Sequence, residues 1–434
     1  MSGYTMECLK NLDLKKIGLY DTVQQNIRRN RMQSIRIKVV SKDGSPINGA
    51  KISVKETDGE FKFGCNAFMV NQFESEEQNK TYAEKFKSVF NQAVVPFYWK
   101  DDEPEEGKYR FEKGSEPIYR RPPADEVLEW CEKLNIQPKG HNMVWLNNEI
   151  GLPEWMPKDK TKLQKCIDDR IRMLAEKYAD KIPVWDVCNE VAEAGVYEDM
   201  PEDYEVRAHK LADELFPDCH LIYNDYAGFY GGSYRGKRTL TYQLAKKIIQ
   251  GGGRIDGIGM QNHFFIREEN ISSDNDMLKA EHILDMLNIY SDLADSIHVS
   301  EITVPSYDST PEKLEVQANI TENLYKLWFS VKNVKSIVWW NLIDGFAFVN
   351  PNSDWNEDYY GGGLLNHDFS EKPAYKAIKR LINEEWHTEF DSETDEAGIV
   401  SAEVFKGKYD ITVNGKLFKA EVNDKTNTVK ITLD

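Results

Sequence analysis

Two short stretches each carry an acid to the end of an apolar run. VWDVCNEV (184–191) passes from residues suited to a buried strand into an adjacent amide and acid, Asn189-Glu190, and IHVSEITVP (297–305) does the same with Glu301. The carboxyl end of a buried parallel strand is where an α/β barrel keeps its chemistry. Two carboxylates on separate strand ends suit cleavage of a glycosidic bond: one acid protonates the leaving oxygen, and the other serves as nucleophile or base. Residue type alone decides little in a chain with 73 Asp and Glu, most of which must be solvated surface. What matters is whether the surrounding elements bring these two together.

From about 62 to 385, strand-like and helix-like stretches alternate. Candidate strands end at 64–66, 93–96, 139–145, 184–190, 221–226, 256–263, 297–302 and 336–342, with helical spacing over 161–179, 205–215, 239–250 and 312–330. Eight strand ends with intervening helices predict a (β/α)8 TIM barrel. The polar and aromatic residues gather at those ends: Asn66, His141, Trp145, Asn189, Glu190, Asn224, Tyr226, Gln261, His263, Glu301, Trp339 and Trp340.

The flanks read differently. Residues 1–33 form a charged lead-in with helical spacing at Leu19, Val23 and Ile27. Alternation at Ile35/Ile37/Val39 and Ile52/Val54, separated by Asp43-Gly44, predicts a β-hairpin, with a second turn at Asp58-Gly59. Past Gly398 the style returns in IVSAEVF, KYDITV, an Asn414-Gly415 turn, KLFKAEV and TVKITL. Neither end alone has enough strands to bury a face. Segments 34–61 and 387–434 are therefore expected to build one small β-sandwich, leaving 62–386 as the barrel.

Bulk properties narrow the partners. A net charge of −18 disfavours nucleic acid and anionic membrane surfaces. Ten Trp and 21 Tyr suit stacking against sugar rings. The six cysteines (Cys8, Cys65, Cys131, Cys166, Cys188, Cys219) lack paired or metal-ligand spacing, predicting free thiols. There is no apolar leader in MSGYTMECLKNLDLKK, so the chain as written is expected in the cytoplasm, or outside the cell if a signal peptide has been removed.

GHNMVW, VWDVCNE, YNDY, IDGIGMQNH, VSE, VWWNLIDG and LLNHDFSEKPAYKAI occur in this order, and the set resembles glycoside hydrolase family 10, the endo-β-1,4-xylanases. The resemblance implies retention through a covalent glycosyl-enzyme, with Glu190 as acid/base, Glu301 as nucleophile and carboxylates about 5–5.5 Å apart. It implies that Asn189 bonds the sugar 2-hydroxyl and that Gln261 and His263 hold Glu301 ionised. It also implies that His141, Trp145 and Trp340 line the sugar, that the substrate is a β-linked oligo- or polysaccharide, and that no metal or organic cofactor is needed. Plainer roles stand beside these. His141 can be a satisfied core histidine, Trp339 and Cys188 suit packing, and Asn224, Asp225 and Tyr226 serve either the site or the barrel rim. Glu149 and Glu193 read as surface.

The chain departs from the family after the second barrel strand. A Glu-Asn pair and a Lys that bind glycone hydroxyls are replaced by the run Ala93 to Tyr98 before Trp99, with Tyr98 in place of the Lys. Leu146 stands where a histidine is expected, and Asn148 where a glutamine is. A site built on hydrogen bonds to hydroxyls cannot be reproduced by apolar groups. Preference is therefore expected to drift from plain xylan toward a decorated, short or different β-linked saccharide. The alternatives are another retaining barrel family, such as a β-glucosidase or β-galactanase, and a non-catalytic carbohydrate-binding barrel.

Overall fold

The computed structural model describes residues 4–192, 200–226 and 235–433. The lead-in becomes the helix Tyr20–Arg31, which buries Val23 and Ile27 and lies against the helix Pro311–Ser330. It feeds β1 (Met32–Val40), followed by β2 (Lys51–Gly59). Eight strands then close a parallel barrel: β3 (Lys62–Asn66), β4 (Gln92–Pro96), β5 (Gln137–Val144), β6 (Val184–Asn189), β7 (His220–Asp225), β8 (Gly257–His263), β9 (Ser296–Thr303) and β10 (Val334–Trp339). The chain ends in β11 (Glu389–Glu393), β12 (Ile399–Phe405), β13 (Gly407–Val413), β14 (Lys416–Val422) and β15 (Thr428–Thr432).

Strands β4, β6, β8 and β9 are buried along their whole length, as expected of strands covered by helices on one side and barrel core on the other. The helices supply that cover. In Lys160–Tyr178, Leu163, Ile167, Ile171, Leu174 and Tyr178 fall on one face and are buried, and Asp159 caps the start by accepting from the Lys162 N–H at 2.9 Å. The helix Pro311–Ser330 opens with Pro at its first position, where the missing N–H costs nothing.

Each terminal sheet combines one N-terminal strand with strands from the C-terminus. One has the order β12-β1-β15, the other β11-β2-β13-β14, and they share a core that includes Ile35, Ile37, Val39, Ile52, Val54, Val404, Ile411 and Val413. The expected hairpin between the first two strands does not form. β1 pairs with β12 and β15, while β2 pairs with β11 and β13. Alternation gives each strand one apolar face, and the connection 41–50 carries the chain from one sheet to the other. The two faces then bury each other across the sandwich, which pairing within one sheet would not achieve. Asp58 and Gly59 likewise end β2 rather than turning a hairpin. Asn414 and Gly415 do turn one, both with positive φ (49° and 85°), joining β13 to β14. The edge strand β11, EFDSE, was not anticipated; its charged residues suit an exposed edge.

The sandwich lies under the amino-terminal end of the barrel, away from the strand ends that carry the acids. Arg31 fastens it there, donating from Nε to the Phe329 carbonyl at 2.7 Å and from Nη2 to the Val334 carbonyl at 2.8 Å. Ile37 has no exposed surface, so Ile37→Ala is expected to cost about 2–5 kcal/mol, read as an earlier urea transition of the sandwich. An unchanged transition would mean that this core contributes little.

Candidate active site

The register of the barrel brings the polar residues together. Asn189 on β6 lies opposite Asn224 on β7, Gln261 on β8 opposite Glu301 on β9, and His263 opposite Thr303. Because side chains along a strand alternate, Gln261 and His263 point the same way. A cavity of about 500 Å³ opens at this end, lined by both acids together with Asn189, His141, Trp145, Tyr98, Tyr226, Gln261, His263 and Trp340.

Glu301 is buried and held from two sides. Its Oε1 accepts from Asn224 Nδ2 at 2.8 Å, and its Oε2 lies 3.1 Å from His263 Nε2. Burial by itself would push this carboxyl up, but the His263 hydrogen bond, the neighbouring His141 and the Asn224 amide outweigh it and hold the group below its ordinary value. Asn224 also donates to Asn189 Oδ1 at 2.7 Å. With that oxygen occupied, Asn189 has its NH₂ to offer a ligand. Asn224 is thus a fully buried brace between two site residues, not a cavity-lining group. Gly259 makes room for it: a Cβ there would stand 2.2 Å from Asn224 Oδ1.

Glu190 has different support. Gln261 Nε2 donates to Glu190 Oε1 at 2.9 Å, so the expectation that Gln261 holds Glu301 is corrected. Gln261 neighbours Glu301 along the sheet, yet its amide reaches the other acid, leaving Glu301 to His263 one step further along the same face. The Glu190 backbone has φ +50° and its N–H donates to the Asn224 carbonyl at 2.9 Å. A non-glycine residue in this region is held there by its surroundings, and such positions gather at functional sites. Just beyond, Asp225 accepts from the Ala192 N–H at 3.0 Å and from the Tyr223 hydroxyl at 2.6 Å, anchoring the segment that follows the acid.

His141 joins core and cavity. Its ring lines the cavity while Nδ1 sits 2.8 Å from Asp186 Oδ2, an oxygen that also pairs with the buried Lys139 at 2.8 Å. Of the adjacent tryptophans, Trp340 faces the cavity, whereas Trp339 is buried with its indole N–H on the Gly362 carbonyl at 3.0 Å. Trp99 points away, donating to Glu103 at 2.9 Å. Asn66 donates to Asn341 Oδ1 at 3.1 Å and Cys188 is fully buried. Glu149 is exposed and accepts from Asn350, while Glu193 lies outside the described residues.

Sequence reasoning missed Phe68, Arg120, Arg121, Phe265, Phe348, Trp355 and Glu357, all of which line the cavity. Most lie on loops beyond the strand ends, where no periodicity marks them. The adjacent arginines in YRRPP, set in an otherwise acidic loop, were the one available signal. All six cysteines are free. Among the described residues, no cluster of three or more His, Cys, Asp or Glu could hold a metal, and no helix is long and apolar enough to cross a membrane.

The His263 contact predicts a pH effect. Glu301 must be ionised to act as a nucleophile or base, and its lowered pKa keeps it so below the usual Glu range. The same shift contributes stability that is present above the unfolded Glu value and lost as pH falls through the folded one. His263→Ala removes the strongest of the lowering contacts, so the acidic limb of kcat/KM is expected to move to higher pH. A limb that stays in place would show that His263 does not tune Glu301.

The family model for glycosyl hydrolase family 10 matches residues 53–381. The endo-1,4-beta-xylanase B of Thermotoga neapolitana is 26% identical over 329 residues, covering 72% of this chain and 87% of that protein. Endo-1,4-beta-xylanase A of Caldicellulosiruptor saccharolyticus is 28% identical over 284 residues, covering 58% and 76%. The anti-sigma-I factor RsgI6 of Acetivibrio thermocellus is 26% identical over 91% of this chain, which spans 46% of that protein. Among solved structures, xylanase 10B from Thermotoga petrophila in complex with xylobiose superposes with a TM-score of 0.58 at 23% identity, covering 75% of this chain and 95% of that one. With a closed eightfold barrel, two acids in one cavity at its carboxyl end and a family model spanning most of the sequence, this chain belongs to glycosyl hydrolase family 10.

Proposed function

We propose that this protein is a retaining β-glycosidase acting on β-1,4-linked xylo-oligosaccharides or a closely related β-linked saccharide. The observation that carries this reading is the unequal support of the two acids. Glu301 is buried, kept ionised and aimed by Asn224 and His263, while Glu190 is only partly buried and bonded by the neutral amide of Gln261. Two carboxyl groups in environments that separate their roles are what a double displacement requires.

In the first step Glu301 attacks the anomeric carbon while Glu190 donates its proton to the departing oxygen. The C–O bond to the leaving sugar breaks as the bond to Glu301 forms. In the second step Glu190, now a carboxylate, takes a proton from water, which displaces Glu301 and restores both groups. Asn189 offers its NH₂ to the 2-hydroxyl, a contact that strengthens as the ring becomes oxocarbenium-like. His141, Trp145 and Trp340 shape the sugar-binding floor.

The test is a product-resolved digestion of xylo-oligosaccharides, substituted xylans and aryl β-glycosides beside Glu301→Ala. Release of xylo-oligosaccharides by the native enzyme, abolished in the variant, is the expected result. Turnover that survives the substitution would refute the assignment of Glu301. Activity confined to another β-glycoside would keep the mechanism and move the substrate.

A further inference from the structure

The wall standing where the family's glycone-binding Glu-Asn and Lys would be is aromatic and cationic. Trp340 is edge-on to His141 and His263, with centroids 5.6 and 5.9 Å away, and Phe68 follows it at 5.2 Å. Arg120 and Arg121 close the far side, 5.5 and 5.4 Å from the Phe68 centroid, and Arg121 also lies 3.6 Å over the Tyr98 ring. The arginines therefore stand one ring beyond the tryptophan that flanks the two site histidines.

Both guanidiniums line the cavity, yet their residues are only 3% and 9% exposed. Arg120 donates to neutral oxygens, Asn341 Oδ1 at 2.7 Å and the Phe346 carbonyl, and its Nε is buried without an acceptor among the described residues. No carboxylate among the described residues forms an ion pair with it. Glu357, which also lines the cavity, acts on Arg120 through its charge and is bridged to it by Asn341, whose Nδ2 donates to Glu357 at 2.9 Å. Arg121 commits Nε to Asp101 at 2.9 Å and Nη1 to the Arg120 carbonyl at 3.0 Å, leaving Nη2 without a hydrogen bond among the described residues. The Trp145 ring lies 5.7 Å from that of Tyr98, and its indole N–H is also buried without an acceptor among the described residues. Arg120 has φ +61°, with its N–H tied to Gln72 Oε1 at 3.1 Å. Burying two adjacent cations and holding one in a strained backbone is costly. Sugar hydroxyls alone do not require it, whereas the planar fork of a guanidinium matches a carboxylate.

We propose that Arg120 and Arg121 are specificity residues that bind a carboxylate on the glycone part of the substrate, supplied by a uronic acid unit. The unit sits either in the β-linked backbone or on it as a branch, and the inference rests on the glycosidase reading above. Unfilled donors, cation placement and the loss of hydroxyl-binding groups all favour such a ligand over plain xylan.

Calorimetry on Glu301→Gln, which holds substrate without turning it over, tests this directly. The ligands are a glucuronosyl-branched xylo-oligosaccharide, a β-linked oligosaccharide with a terminal glucuronic acid, and each of these with its carboxyl reduced to the alcohol. At least one acid is expected to bind more than 10-fold tighter than its reduced counterpart, and which one does so tells branch from backbone. Adding Arg121→Gln or Arg120→Gln is expected to bring that ratio close to one. Equal or tighter binding of both reduced forms overturns the proposal, whether or not the arginine variants fold. So does an equal loss for acid and alcohol in the arginine variants. Native enzyme that hydrolyses no β-glycoside would refute the glycosidase reading instead, while the affinity ratio would still report on the arginines.

Discussion

Glu301→Ala is expected to lower kcat by about 10⁴- to 10⁶-fold, the range seen when a catalytic nucleophile or base is removed. The residue is buried and bonded at both oxygens, so no neighbouring carboxylate takes over its position. Truncation also opens a small space on the face from which the proposed mechanism has Glu301 attack. Azide added at high concentration is expected to enter it and attack the anomeric carbon from that face. With an activated aryl β-glycoside the product is then the α-glycosyl azide, identified by NMR. A β-azide, or a rate close to that of the native enzyme, would place the nucleophile elsewhere. A thermal melt separates this from unfolding, because the change leaves Asn224 and His263 without their shared acceptor.

Glu190→Ala has a different signature. General acid–base assistance contributes about 10²- to 10⁴-fold, but only where the leaving group needs a proton. Cleavage of xylo-oligosaccharides is expected to fall by that amount. Aryl glycosides with acidic phenol leaving groups are expected to keep a fast first step and accumulate the glycosyl-enzyme, seen as a burst of phenol followed by slow turnover. Azide now intercepts the intermediate from the opposite face and gives the β-glycosyl azide. Equal losses on both substrate types would contradict the role. Gln261 donates to this acid at 2.9 Å, so Gln261→Ala is expected to perturb the same step more mildly.

The contrast between these two acids shows what the amino-acid sequence makes legible. The barrel could be read because its strands are short apolar runs with polar ends, and the strand ends at Asn189-Glu190 and Glu301 fall where the structure has them. The joint sandwich was legible because each end has too few strands to bury a face. Which strands pair was not. Ile35/Ile37/Val39 and Ile52/Val54 have the alternation of a hairpin, and the same pattern serves equally for two strands facing each other across a core. The partner of Gln261 was hidden for a related reason. Sheet register makes it a neighbour of Glu301, and only the curvature of the closed barrel brings Glu190 within reach of its amide. Arg120 and Arg121 belong to a long irregular segment between β4 and the helix Ala124–Leu134, where position in the sequence says little about position in space.

The proposed double displacement requires Glu301 to form a covalent bond to the sugar. The most direct measurement is to incubate the enzyme with an activated 2-deoxy-2-fluoro β-glycoside, whose fluorine slows both steps while a good leaving group still lets the first proceed. Peptide mass spectrometry then locates the label. One added fluoroglycosyl unit is expected on the peptide bearing Glu301, with loss of activity in step with labelling. A label on another residue, or an unlabelled enzyme that hydrolyses the parent glycoside with inversion, would contradict it.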